Sequence, residues 1–231
     1  YVPFMIQFNG TNNAINNSQF GALKVKDAIV DQFQEAGHER PSVDKLKPGI
    51  VIQARLRRDT LNICIDLSGG SLHKRGYRDG AGEAPLKEHV AAGILMRSGW
   101  AQNANKVLLD PMCGSGTIPI EAAMMAANIP PNLGKETWGF EHWNLHEPSV
   151  FSDVVEQAKM SVTAPNAAIY AYDLSTTLVE LAKQNAVRAG VADYIAFKQC
   201  DVLDAVVVDA TDSKEATGTA ACETMTSQAE N

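Results

Sequence analysis

Three aspartates end short apolar runs: Asp110 after Val107-Leu108-Leu109, Asp173 after Ala168 to Tyr172, and Asp201 after Tyr194 to Cys200. A carboxylate at a strand end accepts hydrogen bonds from ligand hydroxyls and amines, so Asp173 can take both hydroxyls of a ribose and Asp201 the amino group of an adenine. Asp110 opens a tight loop, Asp110-Pro111-Met112-Cys113-Gly114-Ser115-Gly116, which leads into an apolar helical stretch, Thr117 to Ala127. Gly114 and Gly116 let backbone amides approach a ligand. The helix start offers unpaired N–H groups and a positive dipole end to a carboxylate or phosphate. The loop is shorter than GxxxxGK[ST] and lacks its Lys, and Pro119 stands where GxGxxG needs a third glycine. Nucleoside triphosphate and dinucleotide readings both weaken. A ligand that joins one carboxylate, one ribose and one adenine suits all three acids, and S-adenosylmethionine is such a molecule.

Other chemistries have less behind them. Cys113 has no neighbouring base in sequence and reads as a small side chain lining the loop rather than a nucleophile. His142 and His146 share helical spacing, but Pro148 follows and no third ligand is evident, so no metal site is expected. Trp138, Phe140 and Trp143 read as packing within an insertion between strands. No residue of the chain is singled out as catalytic.

The elements that must position the acids follow from pattern. From Lys106 onward the order is strand, glycine loop, helix, then strand and helix again, the mark of a doubly wound α/β domain with ligands at the carboxyl edge of its sheet. Ser175 is an N-cap for a helix running through Leu178, Leu181, Ala182 and Val187 to Gly190. A helix begins near Pro85 and reaches Gly99. Earlier in the chain, Ile50 to Leu56 and Thr60 to Leu67 form two strands joined by a polar turn, preceded by a helix over Ala22 to Phe33. The chain opens abruptly on an apolar strand-like stretch without an initiator Met, which predicts that earlier residues are missing. The expected organisation is an α/β unit over 1–67, a glycine-rich linker over 68–84, a cofactor-binding half-domain over 85–210 and a flexible polar tail over 211–231.

Composition limits the partners. The chain has 231 residues, 45% of them hydrophobic, enough for a sizeable core. It holds no apolar run long enough to span a membrane and no leader-like start. Four scattered cysteines predict reduced thiols in a cytoplasm. The net charge of −7 is uneven: residues 1–100 carry 13 Lys or Arg against 10 Asp or Glu, and residues 101–231 carry 7 against 17. Nucleic-acid contact is therefore expected from the first part, with Lys74, Arg75 and Arg78 as phosphate contacts.

The motifs then resemble one family. DPMCGSGT at 110–117, YDLS at 172–175 and CD at 200–201 are similar to the cofactor motifs of class I methyltransferases. DLSGGSLHKRGYR at 66–78, followed by APLKE at 84–88, resembles the bacterial THUMP-domain methyltransferases that make N2-methylguanosine in large-subunit ribosomal RNA. KVKDAIVD at 24–31 and RPSVD at 40–44 are similar to the second half of that family's THUMP domain. The resemblance implies a partial THUMP α/β unit followed by an incomplete Rossmann-like class I methyltransferase domain. It also implies S-adenosylmethionine as cofactor and ribosomal RNA as partner. It places cofactor contacts at Asp110, Pro111, Met112, Cys113, Gly114, Gly116, Asp173, Leu174, Asp201 and Val202.

One departure matters. The Asn-Pro-Pro-Tyr-like catalytic motif expected after the strand following Asp201 does not occur in these 231 residues. The chain is thus expected to bind cofactor without completing the transfer. Two alternatives stand beside this reading: an N6-adenine DNA methyltransferase, which shares the motifs, and a non-catalytic cofactor- or RNA-binding module. The loop spacing disfavours a nicotinamide-dependent oxidoreductase.

Overall fold

A computed structural model describes residues 2–78, 85–103 and 106–205. The chain divides into two compact units, one formed by residues 1–76 and 128–162, the other by residues 77–127 and 163–231.

In the first unit, β1 (Phe4–Asn9) pairs in parallel with β2 (Ile50–Arg57), which pairs antiparallel with β3 (Thr60–Asp66). The expected polar turn is Arg58-Asp59, with Arg58 in the left-handed region at φ 54°. Helix α1 (Ser18–Glu35) makes the parallel crossover from β1 to β2. It starts four residues before the expected Ala22 because the Asn17 side chain caps it, accepting from the amides of Gln19 and Phe20. Phe8, Val25, Ala54 and Leu56 form the buried core between helix and sheet.

Residues 128–162 group with this unit rather than with the half-domain expected over 85–210. Trp138 stacks on Phe140, and Phe140 meets Phe151 of the helix that follows edge-on, so Trp138 and Phe140 pack within the insertion. His142 and His146 lie in turns rather than on a helix, and His146 packs against Phe140 and Phe151. The pattern reading did not place a helix over Pro148–Met160.

The second unit holds a parallel sheet ordered β4 (Leu108–Asp110), β5 (Ile169–Asp173), β6 (Ile195–Gln199). Four helices accompany the two sheets after α1: α2 (Glu88–Arg97), α3 (Thr117–Ala126), α4 (Pro148–Met160) and α5 (Thr176–Arg188), of which α4 belongs to the first unit. Seven of the ten residues of α3 are buried, in keeping with a sequence that is apolar apart from Thr117 and Glu121, and the buried Glu121 accepts from the Tyr77 hydroxyl at 3.2 Å. Ile120, Ile169, Ala171, Ala182 and Val191 are the centre of this core. The expected tail over 211–231 lies outside the described residues.

Candidate functional site

The register of the parallel sheet places the acids together. Leu108 pairs with Ile169 and Ile169 with Ile195, so β4, β5 and β6 run side by side to one edge and end there in a staggered row. Asp110 pairs with Ala171, Asp173 lies two residues further along and pairs with Gln199, and Asp201 follows two residues beyond Gln199. The Cys113 amide donates to the Tyr172 carbonyl at 2.8 Å and the Cys200 amide to the Asp173 carbonyl at 3.0 Å, which ties the loops after the strands to each other.

Asp173 organises the loop. Its Oδ2 accepts from the Gly114 amide at 2.9 Å and its Oδ1 from the Ser175 amide at 2.9 Å. Each oxygen retains a lone pair for a ligand hydroxyl. Asp110 Oδ1 accepts from the Met112 amide at 3.3 Å. Burial raises the Asp110 carboxyl above its ordinary value; the Met112 amide opposes this, and the nearby Asp173 charge adds to it. Two neighbouring carboxylates, one of them poorly solvated, favour a ligand that brings positive charge.

The two loop glycines have different tasks. Gly116, at φ +83°, has no room for a side chain, because a Cβ there would stand 2.9 Å from Ala182 Cβ. It lets α3 pack on α5. Gly114, at φ +56°, faces open space, with no atom within 4 Å of a Cβ position. It leaves the backbone bare toward the cleft. Asn185, fully buried on α5, donates to the Ser115 carbonyl at 3.0 Å and holds the loop from behind.

A cleft of about 350 Å³ results, lined by Pro85, Leu86, Asp110, Met112, Cys113, Gly114, Ser115, Thr117, Ile118 and Leu178. Among the predicted residues, Asp110, Met112, Cys113 and Gly114 line it, while Gly116 and Asp173 shape it. Leu174 and Val202 are exposed, and Asp201 caps the turn over Val202–Asp204 by accepting from the Leu203 amide. Pro85, Leu86, Ser115, Thr117, Ile118 and Leu178 were not singled out, although Pro85-Leu86 lies inside the APLKE motif. A larger groove of about 660 Å³ lies in the first unit, but apart from His146 and Glu147 its lining is apolar and contains none of the three acids. Chemistry rather than size selects the smaller cleft.

Burial pushes the Cys113 thiol up to about 12, helped by the charges of Asp110 and Asp173. At pH 8 such a thiol is almost wholly protonated and so is a poor nucleophile. Iodoacetamide at pH 8 is therefore expected to label exposed Cys64 at least about 100-fold faster than Cys113. Peptide mapping over time measures both rates, and equal labelling would mean that the loop is open.

Of the three predicted phosphate contacts, Lys74 is exposed, and the Arg75 Nη1 donates to the Leu72 carbonyl at 2.8 Å within its own turn. Arg78 is turned inward, its side chain 15% exposed, with Nη2 donating to Thr117 Oγ1 at 2.7 Å and to the Leu86 carbonyl at 2.9 Å. These bonds remove Arg78 from the phosphate-contact set.

The pattern that defines the RMKL-like methyltransferase domain matches residues 75–214, more than half of the chain. The chain belongs to this family. In front of the RMKL-like domain, the THUMP domain pattern matches residues 3–66, which gives the α/β unit of β1, α1, β2 and β3 its identity. Ribosomal RNA large subunit methyltransferase K/L of Pseudoalteromonas atlantica is 50% identical over 198 residues, which are 86% of this chain and 28% of that protein. The chain thus spans under a third of the relative's length. Two solved structures share the architecture. One, from Listeria monocytogenes and designated a predicted N6-adenine-specific DNA methylase, is 32% identical with a TM-score of 0.76, covering 89% of this chain and 54% of that one. Another, assigned as a methyltransferase and complexed with S-adenosylhomocysteine, is 28% identical with a TM-score of 0.75 over 89% and 54%. A THUMP domain followed by a Rossmann-like methyltransferase fold is therefore the fold of this RMKL-like chain. Among the described residues, no helix is long and apolar enough to cross a membrane.

Proposed function

We propose that the chain carries the S-adenosylmethionine cleft of an enzyme that forms N2-methylguanosine in large-subunit ribosomal RNA. The observation that carries this reading is that three adjacent parallel strands end at one sheet edge in Asp110, Asp173 and the corner at Asp201, around a glycine loop that leads into α3. The residues fit the cofactor on their own terms. Gly114 leaves open space on the cleft while its amide holds Asp173, α3 begins at Thr117 with the first-turn amides of Thr117 and Ile118 available to a carboxylate, and Asp173 keeps acceptor capacity for a ribose. Asp201 would hold the adenine amine, with Val202 beside it. Pro111, Met112 and Leu174 would flank the ligand, while Asp110 would favour its positive groups.

When bound, the cofactor supplies an electrophilic methyl on sulfonium. The protein's part is to orient the base amine toward that methyl, exclude water and accept the amine proton. The relative's designation as a ribosomal RNA methyltransferase and the THUMP match support RNA as the substrate, and the same features support a cytoplasmic enzyme. The Listeria structure's designation favours a second reading, N6-methylation of adenine in DNA. A chain of the relatives' length, incubated with labelled S-adenosylmethionine and unmodified ribosomal RNA and digested to nucleosides, separates them. N2-methylguanosine is expected; N6-methyladenine formed on DNA, with none of the guanine product, would overturn the proposal.

RNA affinity is proposed to reside in the first unit. Reversing two charges with Lys74→Glu and Arg75→Glu is expected to weaken RNA binding and to flatten the slope of log affinity against log salt by up to about 2. Filter binding across a salt series reads both, and an unchanged affinity and slope would make this segment a solvated spacer.

A further inference from the structure

Arg78 links two walls of the cofactor cleft. One wall is Pro85-Leu86, which precedes α2 without regular structure; the other is the first turn of α3, where Thr117 lines the cleft and is itself 4% exposed. A single guanidinium nitrogen, Nη2, spans them, with one bond of 2.9 Å to the Leu86 carbonyl and another of 2.7 Å to Thr117 Oγ1. Glu88, the first residue of α2 and 5% exposed, places Oε1 3.7 Å from the same nitrogen. The arginine is thus held between the start of α2 and the start of α3. The direction of the Thr117 bond has a chemical consequence. Its oxygen accepts from a cation, which keeps the hydroxyl hydrogen off that side and leaves it to donate elsewhere, in a cleft whose edge already offers helix N–H donors.

We propose that Arg78 is a positioning residue for cofactor binding: it fixes the Thr117 hydroxyl as a donor toward the anionic group of the ligand and pins Leu86 opposite. Thr117 is then a ligand-contacting side chain. This rests on the reading of the cleft as an S-adenosylmethionine site. The ligand's carboxylate is the group that calls for such a donor, since it is the anion expected at the start of α3.

Calorimetry with S-adenosylhomocysteine on the full chain tests this through a double-mutant cycle. Arg78→Met and Thr117→Val are each expected to weaken binding about 10- to 100-fold, the loss that a charge-assisted bond in a water-poor site carries. Thr117→Ser, which keeps the hydroxyl, should bind within about threefold of the unaltered chain, and Arg78→Lys should recover part of the loss. Because one residue acts through the other, the Arg78→Met/Thr117→Val double variant should bind no worse than the weaker single variant. A merely structural arginine would lower the melting temperature without that non-additivity. Should Arg78→Met fail to fold, the Thr117 pair carries the test alone, since neither change touches the bond from Arg78 to Leu86. Folded Arg78→Met at unaltered affinity, fully additive losses, or Thr117→Val binding as tightly as Thr117→Ser would overturn the proposal while leaving the cofactor site standing. No binding by the unaltered chain would overturn both.

Discussion

Given labelled S-adenosylmethionine and unmodified ribosomal RNA, the 231-residue chain is expected to transfer methyl groups at least about 10³-fold more slowly than a chain of its relatives' length. Binding the cofactor stabilises ground and transition states alike and so does not accelerate transfer. Rate comes from holding the acceptor amine in line with the methyl, about 3 to 3.5 Å away. The resemblance assigns that task to an Asn-Pro-Pro-Tyr-like segment, whose Asn side chain and backbone carbonyl orient the amine and whose aromatic ring stacks on the base. The 231 residues contain no such segment. Counting label in digested nucleosides compares the two chains directly, and rapid transfer by the shorter one would place the catalytic groups among residues assigned here to the cofactor.

The second large effect falls on Asp173. Replacing it by Ala removes the acceptors of the Gly114 and Ser175 amides, both at 2.9 Å, together with the proposed ribose contact. Loss of ligand acceptors in a desolvated site corresponds to roughly 10- to 100-fold weaker cofactor binding, and the orphaned amides cost about 2 kcal/mol of stability. Asp173→Asn keeps one carbonyl acceptor and should fall between. Calorimetry and urea unfolding on the same three proteins separate the two losses. Unchanged affinity in a folded Ala variant would move the ribose elsewhere.

The strands and the loop were legible because they are local. Val107 to Asp110, Ala168 to Asp173 and Tyr194 to Cys200 are short apolar runs, each followed by turn or cap chemistry, and the described strands fall inside them. Ser175 caps α5 as its type suggests, accepting from the Leu178 amide. What pattern could not supply was pairing over distance. Asn185 sits on an amphipathic helix where an amide side chain reads as solvent-facing, yet its partner is the Ser115 carbonyl, 70 residues earlier. Arg78 stands in a basic stretch that reads as a phosphate contact, and only the fold shows Thr117 beside it. Helix α4 has no fully buried residue, yet its sequence does carry a stripe, with Phe151, Val155 and Ala158 half-buried at helical spacing. The grouping of 128–162 with the first unit, by contrast, has no local signature.

Paired calorimetric titrations with S-adenosylhomocysteine and with NAD ask whether the cleft between Leu86 and Leu178 is built for S-adenosylmethionine. S-adenosylhomocysteine is expected to bind at least about tenfold more tightly, because the acids suit one ribose and one adenine and the loop is no pyrophosphate cradle. NAD binding as tightly or more tightly would contradict it.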